Sequence, residues 1–386
     1  MTIATMKFRI AWDLLPKSLI LPLVTFLIRV SIWPFGLWRI LKLIEYDGDF
    51  YISLGRSIVS SLMNGDYYAL LINPIHPPLG KIILGLFSFL FDPVLGTLNS
   101  DMLLMCIISA LTSLLVFKIG CALYGERGGL IAWAIYSLDP FSIHWTVAWL
   151  DTPTLLFITL AQYLLLRREE VKPRLFVLAL LSYYLALMTK FQAVLFLPAM
   201  LIFLKRNKER ITFITASLVL FFLNPQFMIR GGLEYVISEN ISLSSKPFQE
   251  LGSPANLLLL VPVEVFYRLC VGYVGTNVLP YLAPLMLFYY LFWRKSNLGD
   301  ELAARWFSLT LFGVILTPRL LLQEYYYVYT TVPISLLLSS TMNQSNPSKK
   351  KHYMIKMFSM GSLFSITSFF VNPSCWEMLL LYITSM

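Results

Sequence analysis

The chain has little charge. Only 13% of its 386 residues are charged, whereas 58% are hydrophobic, and the mean hydropathy is +0.71. Apolar runs of about 20 residues recur along the whole sequence, which is more than the core of a soluble protein of this length needs. This composition excludes a soluble globular enzyme. It predicts an all-α polytopic membrane protein, a single transmembrane domain over residues 1–386.

Cysteine and histidine are also scarce. The sequence has four cysteines and three histidines. The cysteines form no CxxC pair, and no histidine follows one at the spacing of zinc ligands, so neither a zinc site nor a disulfide framework is indicated. We expect all of them to be apolar side chains of helices: Cys106, Cys121, Cys270 and Cys375.

Positive charge is in excess, with a formal net charge of +9. The lysines and arginines form short clusters between apolar runs rather than one basic face, so we expect membrane lipid, and no nucleic acid, as a partner. Under the positive-inside rule these clusters mark cytoplasmic loops. The resulting topology has about eleven transmembrane helices in the cell membrane and two long outer loops, at 42–100 and 224–278.

The predicted spans follow from the apolar runs. The first, residues 19–41, contains Arg29 near its middle, which we expect to face either the protein interior or an aqueous cavity, because a charge in lipid is costly. Residues 79–91, bounded by Asp92-Pro93, are too few to span, and 255–274 are interrupted by charges. We expect both to be interfacial helices, in the first and fourth outer loops. The other spans are expected at 101–122, 128–145, 152–166, 175–189, 191–204, 211–223, 279–293, 306–322, 325–342 and 354–371.

Polar residues that could carry chemistry concentrate in residues 45–81. Two carboxylates separated by one residue, Asp47 and Asp49, precede a His76-Pro77-Pro78 turn. Such acids suit a general base, a metal site or an anchor for an acceptor hydroxyl. On the predicted topology further polar residues lie at outer helix ends, which indicates a reaction centre on the outer face: Asp66, Lys81, Asp139, His144, Asp151, Lys190, Arg230, Arg319 and Glu324.

Each of these residues also has a purely structural interpretation. The acid pair at 47 and 49 could cap a helix, and Asp151, with Pro153 in the following turn, could be an N-cap. His76 could shape a turn. Lys190 could extend to a lipid headgroup, and Arg319 could anchor the chain at the interface.

The order and spacing of these residues resemble a known family. Residues 47–81 are similar to the first outer loop of the GT-C superfamily of lipid-linked-sugar glycosyltransferases, and most similar to the protein O-mannosyltransferase (PMT) family, which uses dolichyl-phosphate-mannose. The resemblance rests on an acidic pair followed by an aromatic residue and then by His76-Pro77-Pro78-Leu79-Gly80-Lys81. It continues through Leu123-Tyr124-Gly125, Leu138-Asp139-Pro140, Leu150-Asp151-Thr152-Pro153, Leu187-Met188-Thr189-Lys190, Asn224-Pro225 and Pro318-Arg319.

The resemblance implies a fold, a reaction and roles for residues. The fold would be a GT-C-like helical bundle. The enzyme would transfer a mannose-like hexose, with inversion, from a polyprenyl or dolichyl phosphate to a hydroxyl of a protein, lipid or glycan on the extracytoplasmic face. Asp47 with Asp49 would be the catalytic base, and Lys190 and Arg319 would bind the donor phosphate. The acceptor side would be supported by His76, Lys81, Asp151, Glu324 and Tyr325.

The sequence departs from the family in two places. The family's acids are adjacent Asp-Glu, whereas Gly48 separates Asp47 from Asp49 here, and near Asp151 only His144 stands where the family has an arginine. The lumenal β-trefoil insertion is missing, which is typical of a compact prokaryotic form. No cofactor is certain. A divalent metal held by Asp47, His76 and Asp151 stays open, as do two other functions: a transporter or flippase of lipid-linked substrates, and an inactive lipid-binding relative.

Overall fold

The computed structural model describes residues 15–33, 48–139, 142–143, 145–147, 149–167, 173–239, 242, 298–315 and 328–343. Within these ranges the chain is helical and contains no β-strand, which confirms the all-α fold class. The helices are α1 Leu15–Ile32, α2 Gly48–Met63, α3 Pro78–Leu95, α4 Thr97–Leu138, α5 Asp151–Arg167, α6 Arg174–Thr189, α7 Leu197–Leu201, α8 Asn207–Phe222, α9 Pro225–Met228, α10 Leu298–Ile315 and α11 Thr331–Asn343. Residues 232–239 are also helical.

Within the described ranges, two helices are long and apolar enough to cross a membrane, Pro78–Leu95 and Leu98–Leu138. Shorter apolar helices cover Arg174–Thr189, Phe191–Leu201 and Val328–Ser340. The predicted segments 255–274, 279–293 and 354–371 lie outside the described residues. The total of about eleven spans therefore stays a prediction.

Helix α4 has two arms. Gly125 interrupts it with a backbone of φ 79° and ψ 176°, a conformation that favours glycine. Across this break the backbones touch, since a Cβ on Gly120 would lie 2.8 Å from the Cα of Gly129. The arms are therefore antiparallel, and the chain reverses at the loop predicted between residues 122 and 128.

The apolar segment 79–91 was expected to end before Asp92-Pro93, and this prediction is wrong. Helix α3 begins at Pro78, where a proline costs no hydrogen bond, and continues through Pro93 to Leu95. Asp92 does not end the helix, because its carboxylate accepts a hydrogen bond from Ser88 one turn earlier (2.8 Å) and pairs with Arg56 of α2 (2.8 Å). The length argument for an interfacial helix is lost, and its interfacial position stays a prediction.

The expected single helix over residues 191–204 is also replaced by two shorter elements. Residues Phe191–Phe196 form a 3₁₀-helix, and α7 follows with Pro198 in its first turn. Before them, Lys190 has an extended backbone (φ −153°, ψ 126°) that separates this segment from α6. The break places the Lys190 side chain at a junction between two helical elements.

The core has two main clusters of buried apolar side chains. One joins α4, α5, α6, α7, α10 and α11, and the other joins α1, α2, α3, α4 and the loop before α5. Helix α4 belongs to both clusters. It therefore connects the first outer loop to the rest of the bundle.

Arg29 of α1 faces the protein interior, one of its two predicted environments. Its side chain is fully buried. The guanidinium donates to the carbonyl oxygens of Tyr136 (3.2 Å) and Ser137 (2.9 Å) and to the hydroxyls of Ser142 (3.0 Å) and Ser109 (3.4 Å). Burying this charge is tolerated because it is hydrogen-bonded to α4 and to the chain that follows it.

Helices α2 and α3 cross at two glycines. A Cβ on Gly55 would lie 2.4 Å from the carbonyl oxygen of Lys81, and a Cβ on Gly85 would lie 2.2 Å from the carbonyl oxygen of Gly55. Close backbone approach at small residues is a common way for membrane helices to associate. Helices α2 and α3, which belong to the predicted first outer loop, are thus tightly packed against each other.

Gly85→Ala should lower the thermal melting temperature of the purified protein. The added methyl group cannot fit against backbone atoms, and overpacking of this kind costs about 1–3 kcal/mol. The control is Leu90→Ala on the same helix, where the side chain is 72% exposed and the change should have little effect. Equal melting temperatures for the two variants would contradict the close crossing.

Candidate functional site

The centre of the site is a buried ion pair between Asp151 and Lys190. The ammonium nitrogen of Lys190 lies 2.6 Å from each carboxylate oxygen of Asp151. Lys190 and Asp151 are 2% and 3% exposed. A pair this deeply buried holds its two helices together, and each charge depends on the other to offset its lost hydration.

Local structure brings the two side chains together. Asp151 is the first residue of α5, and its neighbour Thr152 fixes this start by donating its hydroxyl to the carbonyl oxygens of Trp145 (3.2 Å) and Thr146 (2.9 Å). Lys190 follows the last residue of α6, and its N–H donates to the carbonyl oxygen of Ala186 (2.9 Å). Adjacent ends of two packed helices therefore supply one charge each.

A tyrosine that the sequence analysis missed completes the cluster. The hydroxyl of Tyr329 donates to Asp151 at 2.7 Å, and Tyr329 is 2% exposed. Tyr329 lies four residues after Tyr325, in the same tyrosine-rich stretch that suggested Tyr325 itself. The concentration of tyrosines was the available signal, but it did not tell which of them points to the acid.

The motif at residues 76–81 packs directly beside this pair. A Cβ on Gly80 would lie 2.7 Å from a methyl carbon of Leu150 and 2.9 Å from the side chain of Thr189. Leu150 precedes Asp151, and Thr189 precedes Lys190. Only a residue without a side chain lets α3 approach both positions so closely, which explains the glycine in this motif.

Lys81 supports the loop before α3. It is fully buried, and its ammonium donates to the carbonyl oxygens of Ile72 (2.9 Å), Asn73 (2.8 Å) and His76 (2.9 Å). A lysine ammonium has three N–H donors, and these three carbonyls can engage all of them. In this structure Lys81 therefore supports the backbone of the loop that carries His76, and its expected role on the acceptor side stays a prediction.

The Asn224-Pro225 motif is attached to the same loop. The Asn224 side chain accepts from the N–H of Gln226 (3.0 Å) and so begins the short helix α9. Gln226 donates its side-chain amide to the carbonyl oxygens of Leu70 (2.8 Å) and His76 (3.2 Å). Gln226 was missed by the sequence analysis, although it directly follows the motif.

The structure thus places the start of α3, which follows His76 and carries Lys81, against the residues that precede Asp151 and Lys190. The ring of His76 lies 5.8 Å from that of Tyr51 on α2. The backbone of Asp49 lies in the first turn of α2. The remaining predicted residues lie outside the described ranges: Asp47, His144, Arg319, Glu324 and Tyr325.

The possible metal site finds no counterpart in the described part of the chain, where no three His, Cys, Asp or Glu side chains cluster closely enough to hold an ion. Both oxygens of Asp151 are already engaged by Lys190, and one of them also by Tyr329. A metal at Asp151 would have to displace the ammonium. The Asp151 carboxylate is therefore engaged by other groups in this structure, and a metal site that includes Asp47 stays a prediction, since Asp47 lies outside the described residues.

Lys190→Met should destabilise the protein strongly, because it leaves the Asp151 carboxylate buried without its counter-ion. Removing one partner of a buried pair costs about 3–5 kcal/mol. The double variant Asp151→Asn with Lys190→Met should recover part of the lost stability, because neither charge is then buried. The Tyr329→Phe variant should lower the free energy of unfolding by about 1–3 kcal/mol, because it removes a hydrogen bond to Asp151. Thermal melting of the purified variants measures all three. Equal melting temperatures for Lys190→Met and the wild-type protein would contradict the buried pair.

Comparison with known families gives one match. Residues 75–229 match the family described as dolichyl-phosphate-mannose-protein mannosyltransferase. The matched segment contains His76, Lys81, Asp151, Lys190 and the Asn224-Pro225 motif. It does not contain the acid pair at 47 and 49, or Arg319. Comparison with curated proteins finds no match.

Two solved structures are similar to the chain. ArnT from Cupriavidus metallidurans, bound to undecaprenyl phosphate, matches 91% of this chain with 14% sequence identity and a TM-score of 0.54; the match covers 63% of the ArnT chain. The Archaeoglobus fulgidus oligosaccharyltransferase, in complex with zinc and sulfate, matches 90% of this chain with 12% identity and a TM-score of 0.49, over 53% of its own length.

The ArnT likeness shows the fold, and the matched segment carries the motifs that meet at the buried ion pair. Together they confirm the resemblance stated from the sequence. The chain is therefore similar to the dolichyl-phosphate-mannose-protein mannosyltransferase family over residues 75–229, and it has an all-α fold similar to that of ArnT.

Proposed function

We propose that this chain is a membrane glycosyltransferase. It transfers a sugar, a mannose-like hexose, from a polyprenyl or dolichyl phosphate to an acceptor hydroxyl on the extracytoplasmic face of the membrane. The acceptor class is a protein, lipid or glycan hydroxyl. The reaction inverts the anomeric centre, because one direct displacement replaces the phosphate.

The observation that carries this proposal is the convergence of motifs from distant parts of the chain. Gly80 of the first outer loop packs against the residues before Asp151 and Lys190, and Gln226 holds the His76 backbone. Such convergence is what a reaction centre requires, since its groups must be held in a fixed geometry. The GT-C fold and the family match to residues 75–229 support the same reaction class. ArnT was solved with undecaprenyl phosphate, which supports a lipid phosphate donor.

The acid pair supplies the base in this mechanism. Asp47, assisted by Asp49, accepts the proton of the acceptor hydroxyl as the hydroxyl oxygen attacks the anomeric carbon. The bond from that carbon to the phosphate oxygen breaks, and the electron pair leaves with the phosphate. A base of this kind must lie within hydrogen-bond reach of the hydroxyl.

The leaving phosphate carries two negative charges and needs fixed cations. Lys190 and Arg319 fill this role in the proposal, by electrostatic stabilisation at the edge of an apolar bundle. A phosphate that reaches Lys190 shares the ammonium with Asp151. The pair thus keeps the Lys190 side chain oriented before the donor binds. His76, Lys81, Glu324 and Tyr325 support the acceptor side.

Asp47→Asn should reduce transfer by about 100-fold or more, since general-base catalysis contributes about 10²–10⁴-fold. The measurement is consumption of a radiolabelled polyprenyl-phosphate hexose by purified protein reconstituted with a membrane extract as the acceptor source. Asp66→Asn is the matched control. Asp66 lies in the same loop but only accepts from the N–H of Tyr68 (3.0 Å), so this variant should keep its activity.

Other results would replace the proposal. Full activity of the Asp47→Asn variant would remove the base role. Movement of the labelled donor between the leaflets of a vesicle, without sugar transfer, would identify a transporter or flippase. Donor binding without either reaction would identify an inactive lipid-binding relative.

A further inference from the structure

A groove on the first outer loop has no role in the mechanism above. It lies between α2 and α3, is closed by the start of α4, and has a volume of about 550 Å³. Its α2 side is formed by Ser53, Arg56, Ser57 and Ser60, and its opposite side by Phe89 and Leu98. Cavities of this size are typical of small-molecule binding sites.

The α2 side presents hydroxyls and a cation. Ser53, Ser57 and Ser60 are three or four residues apart, lie on one face of the helix and are exposed. Arg56 projects from the same side, with its side chain 41% exposed and held in place by Asp92. Hydroxyls both donate and accept hydrogen bonds, and a guanidinium offers a rigid set of donors. These groups suit a ligand rich in hydroxyl groups.

A buried carboxylate lies behind the groove. Asp101 is one helical turn after Leu98, is fully buried, and is close enough to Arg56 and Asp92 to interact with them electrostatically. In the described part of the chain neither of its carboxylate oxygens makes a hydrogen bond. A buried polar group in this state indicates a partner beyond the described residues, such as water or a ligand.

The opposite wall is apolar and continues onto the surface. Phe89 belongs to a stripe of exposed apolar side chains on α3, together with Leu86, Leu90 and Val94, which are 42–82% exposed. In a membrane protein such a stripe is a natural contact for acyl or isoprenoid chains. The ligand that fits both surfaces is therefore amphipathic: a hydroxyl-rich headgroup in the groove, and a chain along α3.

The groove starts one helical turn after Asp49, whose backbone lies in the first turn of α2. Ser53 lies four residues after Asp49, which is about 6 Å along the helix axis. A ligand that fills the groove thus extends along α2 from its second turn toward its end. We propose that this groove binds the acceptor, and that the acceptor is a sugar headgroup carried by a lipid rather than a protein. As an acceptor site, it rests on the proposed function.

The test measures binding and needs no donor. The full chain, purified in a non-glycosidic detergent, is irradiated with a dodecyl glucoside whose alkyl chain carries a diazirine, and labelled peptides are identified by mass spectrometry. Label should appear on α2 and α3 and be displaced by unlabelled dodecyl glucoside. Ser53→Phe and Ser57→Phe fill the groove and should each reduce this labelling by about tenfold, the loss of a contact of about 1.4 kcal/mol.

Ser238→Phe is the matched control. Ser238 and Ser53 are both exposed helical serines whose hydroxyls donate to the carbonyl oxygen three residues earlier, at 2.9 Å in each case. The Ser238→Phe variant should be labelled by the diazirine glucoside to the same extent as the wild-type protein. All three variants should melt at the wild-type temperature, so that lost labelling reports on the groove and not on folding.

Several results would overturn the proposal. Unchanged labelling in both groove variants would show that the groove does not bind the glucoside. Equal labelling by a diazirine dodecyl phosphate would show a general lipid site, and displacement by a serine-rich peptide alone would favour a protein acceptor. The proposed function fails separately: labelling without any donor turnover rejects the glycosyltransferase but keeps the glycolipid site, whereas turnover with unchanged labelling rejects only the groove.

Discussion

The buried ion pair between Asp151 and Lys190 is the interaction on which the site depends. Both charges are almost completely removed from solvent, and neither is stable there without the other. Their pairing fixes the start of α5 against the end of α6, and Tyr329 adds the start of α11 through its hydrogen bond to the same acid. The consecutive helices α5 and α6 and the distant segment before α11 therefore meet at one carboxylate.

The other buried cations follow the same physical rule with different partners. Arg29 is offset mainly by backbone carbonyls and serine hydroxyls at the end of α4, and Lys81 by three carbonyls of its own loop. Backbone carbonyls at helix ends and in loops are acceptors that lipid cannot satisfy. Each cation therefore stabilises a segment of irregular backbone within an apolar protein. This allows the first outer loop to keep a defined shape next to the ion pair.

Glycine sets how closely that loop approaches the bundle. Gly80 lets α3 rest on Leu150 and Thr189, and Gly55 and Gly85 let α2 and α3 touch through their backbones. Side chains at these positions would move the loop away from Asp151 and Lys190. The groove along α2 is thus held on a rigid support, which favours the binding of a ligand in one fixed geometry.

The sequence by itself determined the helical class, the position of Arg29 away from lipid, and the residue types of the site, because hydropathy and charge are local properties of the chain. It also identified Asp151 and Lys190 as members of one site, but gave them separate roles. Only the tertiary structure decided that they pair, that Tyr329 is bonded to Asp151, and that Pro93 does not end α3. Those outcomes depend on side chains that are far apart in sequence and compete for the same partners. A local sequence pattern does not determine which of these side chains forms the contact.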